Sequence, residues 1–169
     1  LYFICMMCHH LKFSLSSILL HFVFRYTADF YGFSNGDILF NDGLKSTLQG
    51  VKNYFSVLGP SLVVGQRKNY YMSHQKNTTM DLYKKEIVTE IGRTDAHYFT
   101  LDAEDFFFLS HHGFQWDLVK DIVIGRPGYD NYFVYVTRTN NVSLIDATHT
   151  LLALHQTGAD GKFAGIMTS

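Results

Sequence analysis

At 169 residues, 47% of them hydrophobic and 16% aromatic, the chain has enough apolar material for one domain with a sizeable core. A formal net charge of −1, with Arg and Lys scattered along the chain, gives no electrostatic basis for a nucleic-acid partner. Cys5 and Cys8 stand at Cys-x-x-Cys spacing, but no strand–helix context or second ligand pair accompanies them, so a redox or zinc role is not supported.

Leu1 in place of an initiator Met sets the expectation of an amino-terminally truncated chain, and residues 1–24 read as an atypical apolar segment ahead of the domain. Its sustained run, Phe13 to Phe24, is interrupted by Ser14, Ser16, Ser17 and His21. A bilayer crossing needs about 20 apolar residues, and a shorter run fits a buried helix or a signal core better. Membrane association through this segment is the alternative.

Apolar residues from Phe30 to Phe33 predict a strand, and Ile38 to Phe40 resume it after the elbow Asn35-Gly36-Asp37. A carboxylate at a strand end needs a cation or hydrogen-bond donors, which points Asp37 into a site, toward a metal. Asn-Gly is also the strongest short hairpin signal, so a simple turn competes with that reading. Asn41-Asp42-Gly43 supplies a cap, and Leu44, Leu48, Val51 and Phe55 recur at helical spacing up to the stop pair Gly59-Pro60. Ser61 to Gly65 reads as a short buried strand, Tyr70 to Thr79 as a loop, and Asp81 to Ile91 as a helix. His97 to Leu101 is extended, Phe106 to Leu109 is a second buried strand, and a turn over Gly125 to Asp130 opens a helix from Asn131 to Arg138. Val142 to Ile145 is a further strand, Asp146 to Leu154 returns through short apolar segments to His155, and Gln156 to Ser169 forms a poorly ordered tail. Strands alternating with helices predict an α/β layer fold.

Three polar elements fall where such folds place ligands: Asp37, Asp130 with Asn131, and His155. Asp130 is equally a helix cap, and a lone histidine near an apolar segment, as His155 is, is more often structural. Asp and His both ligate first-row divalent metals, which would let Asp37 and His155 share an ion. Trp116 is either a platform for a sugar or base or partly buried packing. Asn77 and Asn141 begin glycosylation sequons. A metal-dependent hydrolase built on Asp105, His111 and His112 is a third reading.

The segments Phe33–Phe40, Leu62–Arg67, Val123–Asn131, Val142–Thr148 and Leu152–Gly158, in that order, resemble a family of nucleotide-diphospho-sugar transferases with the GT-A glycosyltransferase fold. The resemblance implies a mixed sheet flanked by helices over residues 25–165, with a short tail at 166–169 and the first nucleotide-binding βα region largely missing. It further implies a divalent metal, Mn2+ or alternatively Mg2+, held by Asp37 and His155 on the diphosphate of a nucleotide-sugar donor. Asn35, Asp37, Arg67 and Arg126 would contact that donor, with Asn35 standing where the family has a first acid. Asp130 would be the catalytic base, and Trp116 and Asn131 would face a glycan, glycoprotein or other hydroxyl acceptor. A Golgi or other secretory compartment follows from the family. The rival expectation is a non-catalytic remnant that binds a sugar or a protein.

Overall fold

The computed structural model describes residues 3–8, 25–71, 84–101, 104–111 and 128–157. The elements in chain order are strands β1 (Phe3–Cys8), β2 (Phe30–Asn35) and β3 (Ile38–Phe40), then helices α1 (Gly43–Asn53) and α2 (Phe55–Leu58). Next come β4 (Ser61–Val64), β5 (Lys68–Tyr71), α3 (Lys85–Thr94), β6 (His97–Tyr98) and β7 (Phe106–Ser110). The last three are α4 (Tyr129–Thr139), β8 (Ser143–Asp146) and β9 (Ala153–Thr157).

They form two mixed sheets and four helices. The first sheet has the order β1-β2-β7-β4-β8, and the second β3-β9-β5-β6. In the first, β1 is parallel to β2 and β4 to β8, while β7 runs antiparallel to both its neighbours. Strands β1, β2, β4 and β8 therefore all end at one edge of the sheet, the edge at which β7 begins. In the second sheet β9 and β5 are parallel, and β3 and β6 pair antiparallel on the outside.

The phenylalanines explain this arrangement. Phe106-Phe107-Phe108-Leu109 is buried throughout, without alternation, as a central strand covered on both faces must be. On one face Phe30, Val63, Phe106 and Phe108 join Leu48 and Val51 of α1 and Ile38 and Ala153 of the second sheet. On the other, Phe33 stacks on Phe107 at 6.3 Å between centroids, and Phe133 of α4 continues the stack at 5.3 Å. Helix α3 lays Val88 and Ile91 on Tyr70 and Leu154 of the second sheet. Gly92 permits that approach, since an added Cβ would lie 2.3 Å from Leu152 Cδ2.

Several expectations are corrected. The Asn35-Gly36 elbow is not a hairpin: β2 pairs with β1 and β7, whereas β3 pairs with β9 in the other sheet. Tyr70 and Tyr71 belong to β5 rather than a loop, because parallel pairing with β9 satisfies their backbone. Residues 153–157 form a full strand instead of an apolar return. The first helix stops at Asn53, and the short α2 carries the chain to Gly59, whose φ of 65° ends it. Its start is fixed by Asn41, whose Oδ1 accepts the Gly43 N–H at 3.0 Å, not by Asp42. Phe3–Cys8 is an edge strand of the first sheet, so part of the apolar amino-terminal stretch belongs to the domain. Among the described residues, no helix is long and apolar enough to cross a membrane.

Phe108 packs at the centre of the larger core and is fully buried. Phe108→Ala should cost about 3–5 kcal/mol in urea unfolding, with an unchanged denaturant slope. A loss under about 1 kcal/mol would show that the site collapses around the missing ring.

Candidate functional site at the seam of the two sheets

Strand β2 ends at Asn35, and three residues later Ile38 starts a strand of the other sheet, so Asp37 lands on the seam between them. Antiparallel pairing sets Ile38 opposite His155, and the Gln156 N–H donates to the Asp37 carbonyl at 3.0 Å. These bonds bring together two residues 118 positions apart: His155 Nε2 lies 2.9 Å from Asp37 Oδ2. On the next strand Asn69 is in register with His155, and its Oδ1 lies 3.2 Å from His155 Nδ1. A second acid completes the cluster. The Asn35 N–H donates to the Asp105 carbonyl at 3.0 Å, and Asn35 Nδ2 donates to Asp105 Oδ1 at 2.7 Å. Arg67 Nη1 donates to Asp105 Oδ2, and the guanidinium lies over the Phe99 ring at 4.5 Å from its centroid.

The charges at the seam act on one another. Burial raises the pKa of Asp37, but the hydrogen bond and charge of His155, the local backbone and Arg67 outweigh it and hold the group below its ordinary value. For Asp105 burial dominates and lifts the group above its ordinary value, against the pull of Arg67 and His155. Arg67 and His155 thus serve both acids. Two covered atoms of the cluster, Asp37 Oδ1 and Arg67 Nε, have no hydrogen-bond partner among the described residues. Such atoms are uncommon in folded chains, and here an acceptor and a donor are left open in the same cluster.

The donor chemistry fits a divalent ion. A carboxylate oxygen and an imidazole nitrogen suit first-row metals, and Asp37 keeps a second oxygen unengaged. The 2.9 Å separation of Asp37 Oδ2 and His155 Nε2 is that of a hydrogen bond, which a bound ion would replace. Among the described residues no group of three or more His, Cys, Asp or Glu is placed to hold a metal ion.

The other candidates fall elsewhere. Asp130 is not the cap of α4: Gly128 is, with φ 87°, and Asp130 sits in the first turn accepting the Asn131 N–H at 2.8 Å. The short turn after α4 sets the helix antiparallel to β8, and Phe133 packs on Phe107 near the start of β7. Asp130 and the exposed Asn131 therefore stand at the edge of the sheet that carries Asp37, without a bond to the cluster. Arg67 is turned into the seam by Asp105. His111 bonds to the Tyr31 hydroxyl at 2.9 Å, at the opposite end of β7 from Asp105. Six residue steps of strand separate these two by roughly 20 Å, which overturns the hydrolase reading. Arg126, Trp116, His112 and Asn77 lie outside the described residues, while Asn141 is exposed in a turn with φ 56°. Sequence reasoning missed Asn69 altogether, and gave Asp105 only the hydrolase role. The available signal for Asp105 was a carboxylate placed directly before a fully apolar run.

Two outcomes are expected. Asn35→Asp would set a carboxylate against Asp105, losing the amide donor and adding like charge, so it should lower stability at pH 7 by about 1–3 kcal/mol. An unaffected unfolding midpoint would show that Asp105 does not fix residue 35. Because the folded pKa of Asp37 is lowered, its stabilisation is present above the ordinary carboxylate pKa, about 4, and fades as pH falls through the folded value. The gap between parent and Asp37→Asn in urea midpoints should therefore narrow as pH is lowered from about 5 to about 3. A gap constant over that range would contradict the pairing.

Compared with known proteins, the sequence matches no family model and no curated protein.

Proposed function

We propose that this chain is a GT-A-type glycosyltransferase domain that moves a sugar from a nucleotide-diphosphate donor to a hydroxyl acceptor. The observation that carries the reading is the meeting of Asp37 and His155 at the carboxyl edge of a sheet whose strands β1, β2, β4 and β8 all end there. Ligands of α/β folds bind beyond such strand ends. The family resemblance asks for an acidic motif after a buried strand and a later histidine, and these two residues occupy those places.

Asp37 and His155 would hold Mn2+ or Mg2+ against the donor diphosphate. Bound there, the ion would offset charge developing on the leaving group. Asn35 holds the elbow to β7 through Asp105, so the motif contributes a single carboxylate. Arg67 adds its positive field from within the seam, anchored on Asp105. Asp130, at the same edge, takes the proton of the acceptor hydroxyl as that oxygen attacks the anomeric carbon and the bond to the diphosphate breaks.

One observation favours the rival, a sugar-binding module without turnover. The amide of Asn35 faces Asp105, where the family has a first acid. Calorimetry separates the two readings. The folded parent should give heat with Mn2+ and a uridine or guanosine diphosphate sugar, and Asp37→Ala and His155→Ala, checked for folding by circular dichroism, should lose it. Asp130→Ala should keep the heat while losing transfer to a hydroxyl acceptor by about 100-fold or more. A folded parent silent with every donor would remove the catalytic reading. Metal binding undiminished in both Asp37→Ala and His155→Ala would remove the ligand assignment.

A further inference from the structure

We infer that Asn69 is the positioning residue of this site: its side-chain carbonyl accepts the hydrogen bond of the His155 Nδ1–H and turns Nε2 toward Asp37. The inference that this serves metal binding rests on the function proposed above, whereas the orientation of the ring stands by itself. Four observations support it.

Asn69 and His155 are register partners on the neighbouring parallel strands β5 and β9, and the pairs Tyr70–Gln156 and Tyr71–Thr157 lock that register. Strand alternation explains why Asn69 faces the seam. Its neighbours go to the other face, Lys68 donating to the Gly92 carbonyl at 2.7 Å and Tyr70 packing with Val88 and Ile91. Asn69 is 3% exposed and His155 7%, so neither side chain has bulk water to compete for its partner. The contact itself is side chain to side chain, Oδ1 to Nδ1 at 3.2 Å.

The chemistry gives the contact its consequence. A carbonyl can only accept, so Nδ1 must carry a hydrogen, and in a neutral imidazole that leaves the lone pair on Nε2. Nε2 faces the Asp37 carboxylate, another acceptor, and the pair is satisfied when a cation stands between them or Nε2 is itself protonated. Histidines that ligate metals are commonly fixed in this way, by an acceptor on the ring nitrogen away from the ion. An apolar residue at 69 would leave Nδ1–H buried without a partner and free the ring to exchange tautomers. A carboxylate there would keep the acceptor.

The test uses Asn69→Leu and Asn69→Asp in the full chain, with two readouts. In metal-free protein, nitrogen-correlated NMR of the His155 ring should show a hydrogen-bonded Nδ1–H in the parent and in Asn69→Asp, and none in Asn69→Leu. In titrations with Mn2+ alone, Asn69→Leu should bind about 10–100-fold more weakly than the parent, and Asn69→Asp at least as tightly. Unchanged affinity in Asn69→Leu, or equal loss in both variants, overturns the positioning role. A parent that binds no Mn2+ overturns the metal reading instead. The Nδ1–H signal then decides the orientation: its loss in Asn69→Leu upholds it, and its persistence there overturns it.

Discussion

A carboxylate enclosed between two sheets costs several kcal/mol unless a cation or hydrogen-bond donors meet it, and at this seam Asp105 is enclosed while Asp37 stands half-buried beside it. Asp105 is met by Arg67 and by both nitrogens of Asn35, one on its carboxylate and one on its carbonyl. Asp37 is met by His155. The two arrangements are coupled, because Arg67 and His155 lower the energy of both ionised acids while the acids oppose one another. Removing Arg67 or His155 therefore changes the other pair as well. The elbow, the starts of β3, β5 and β7 and the middle of β9 all depend on this shared balance, since each contributes one member to it.

Topology decides which end of the first sheet can carry chemistry. One face of the β2–β7 pairing carries three cross-strand contacts: Tyr31 diagonally with His111, Phe33 with its register partner Phe107, and Asn35 with Asp105. It is polar at both ends and apolar between them. At the Tyr31 end the partners are the local chain, with the Tyr31 hydroxyl donating to the Tyr26 carbonyl at 2.5 Å and Lys52 reaching Asp29 at 2.8 Å. At the Asn35 end the chain crosses into the second sheet, and β5 and β9 deliver Arg67, Asn69 and His155. Among the described residues, only the Asn35 end of this strand pair lies where the second sheet arrives.

The sequence made the apolar framework easy to read and the seam hard to read, for a physical reason. Phe106 to Leu109, Phe30 to Phe33 and the Leu48–Val51 face of α1 announce themselves by burial pattern, a property of the segment alone. Asn35-Gly36 is a strong turn signal, but a local signal cannot say whether the strands on either side pair with each other or with strands elsewhere. Here β3 takes its partner from more than 110 positions away, as the pairs Ile38–His155 and Phe40–Ala153 illustrate. Strands β5 and β9 escaped notice because seam positions such as Asn69 and His155 break their apolar alternation with polar residues that only the finished seam can satisfy. The link between Asp37 and His155 was suggested by their ligand chemistry and strengthened by the order of the resembling segments. Spacing could not have supplied it. Asn69 lay beside a stretch read as a loop, so no pattern drew attention to it.

The two halves of the seam are not equivalent, and the difference bears on what the site does. Arg67 and Asp105 are closed off, with side chains only 8% and 12% exposed, as a structural ion pair is. His155 is equally covered at 9%, but Asp37 is 46% exposed, although its Oδ1 is turned inward without a partner. An ion pair that served the fold alone would gain from closing this gap, because solvent weakens the attraction and an unsatisfied oxygen costs free energy. The closed pair fixes the elbow and the direction of Arg67, and His155 is fixed in turn by Asn69. What remains reachable is one carboxylate on a polar base, half-exposed although its Oδ1 is covered and without a partner, so the Asp37–His155 half of the seam is less completely satisfied than the Arg67–Asp105 half.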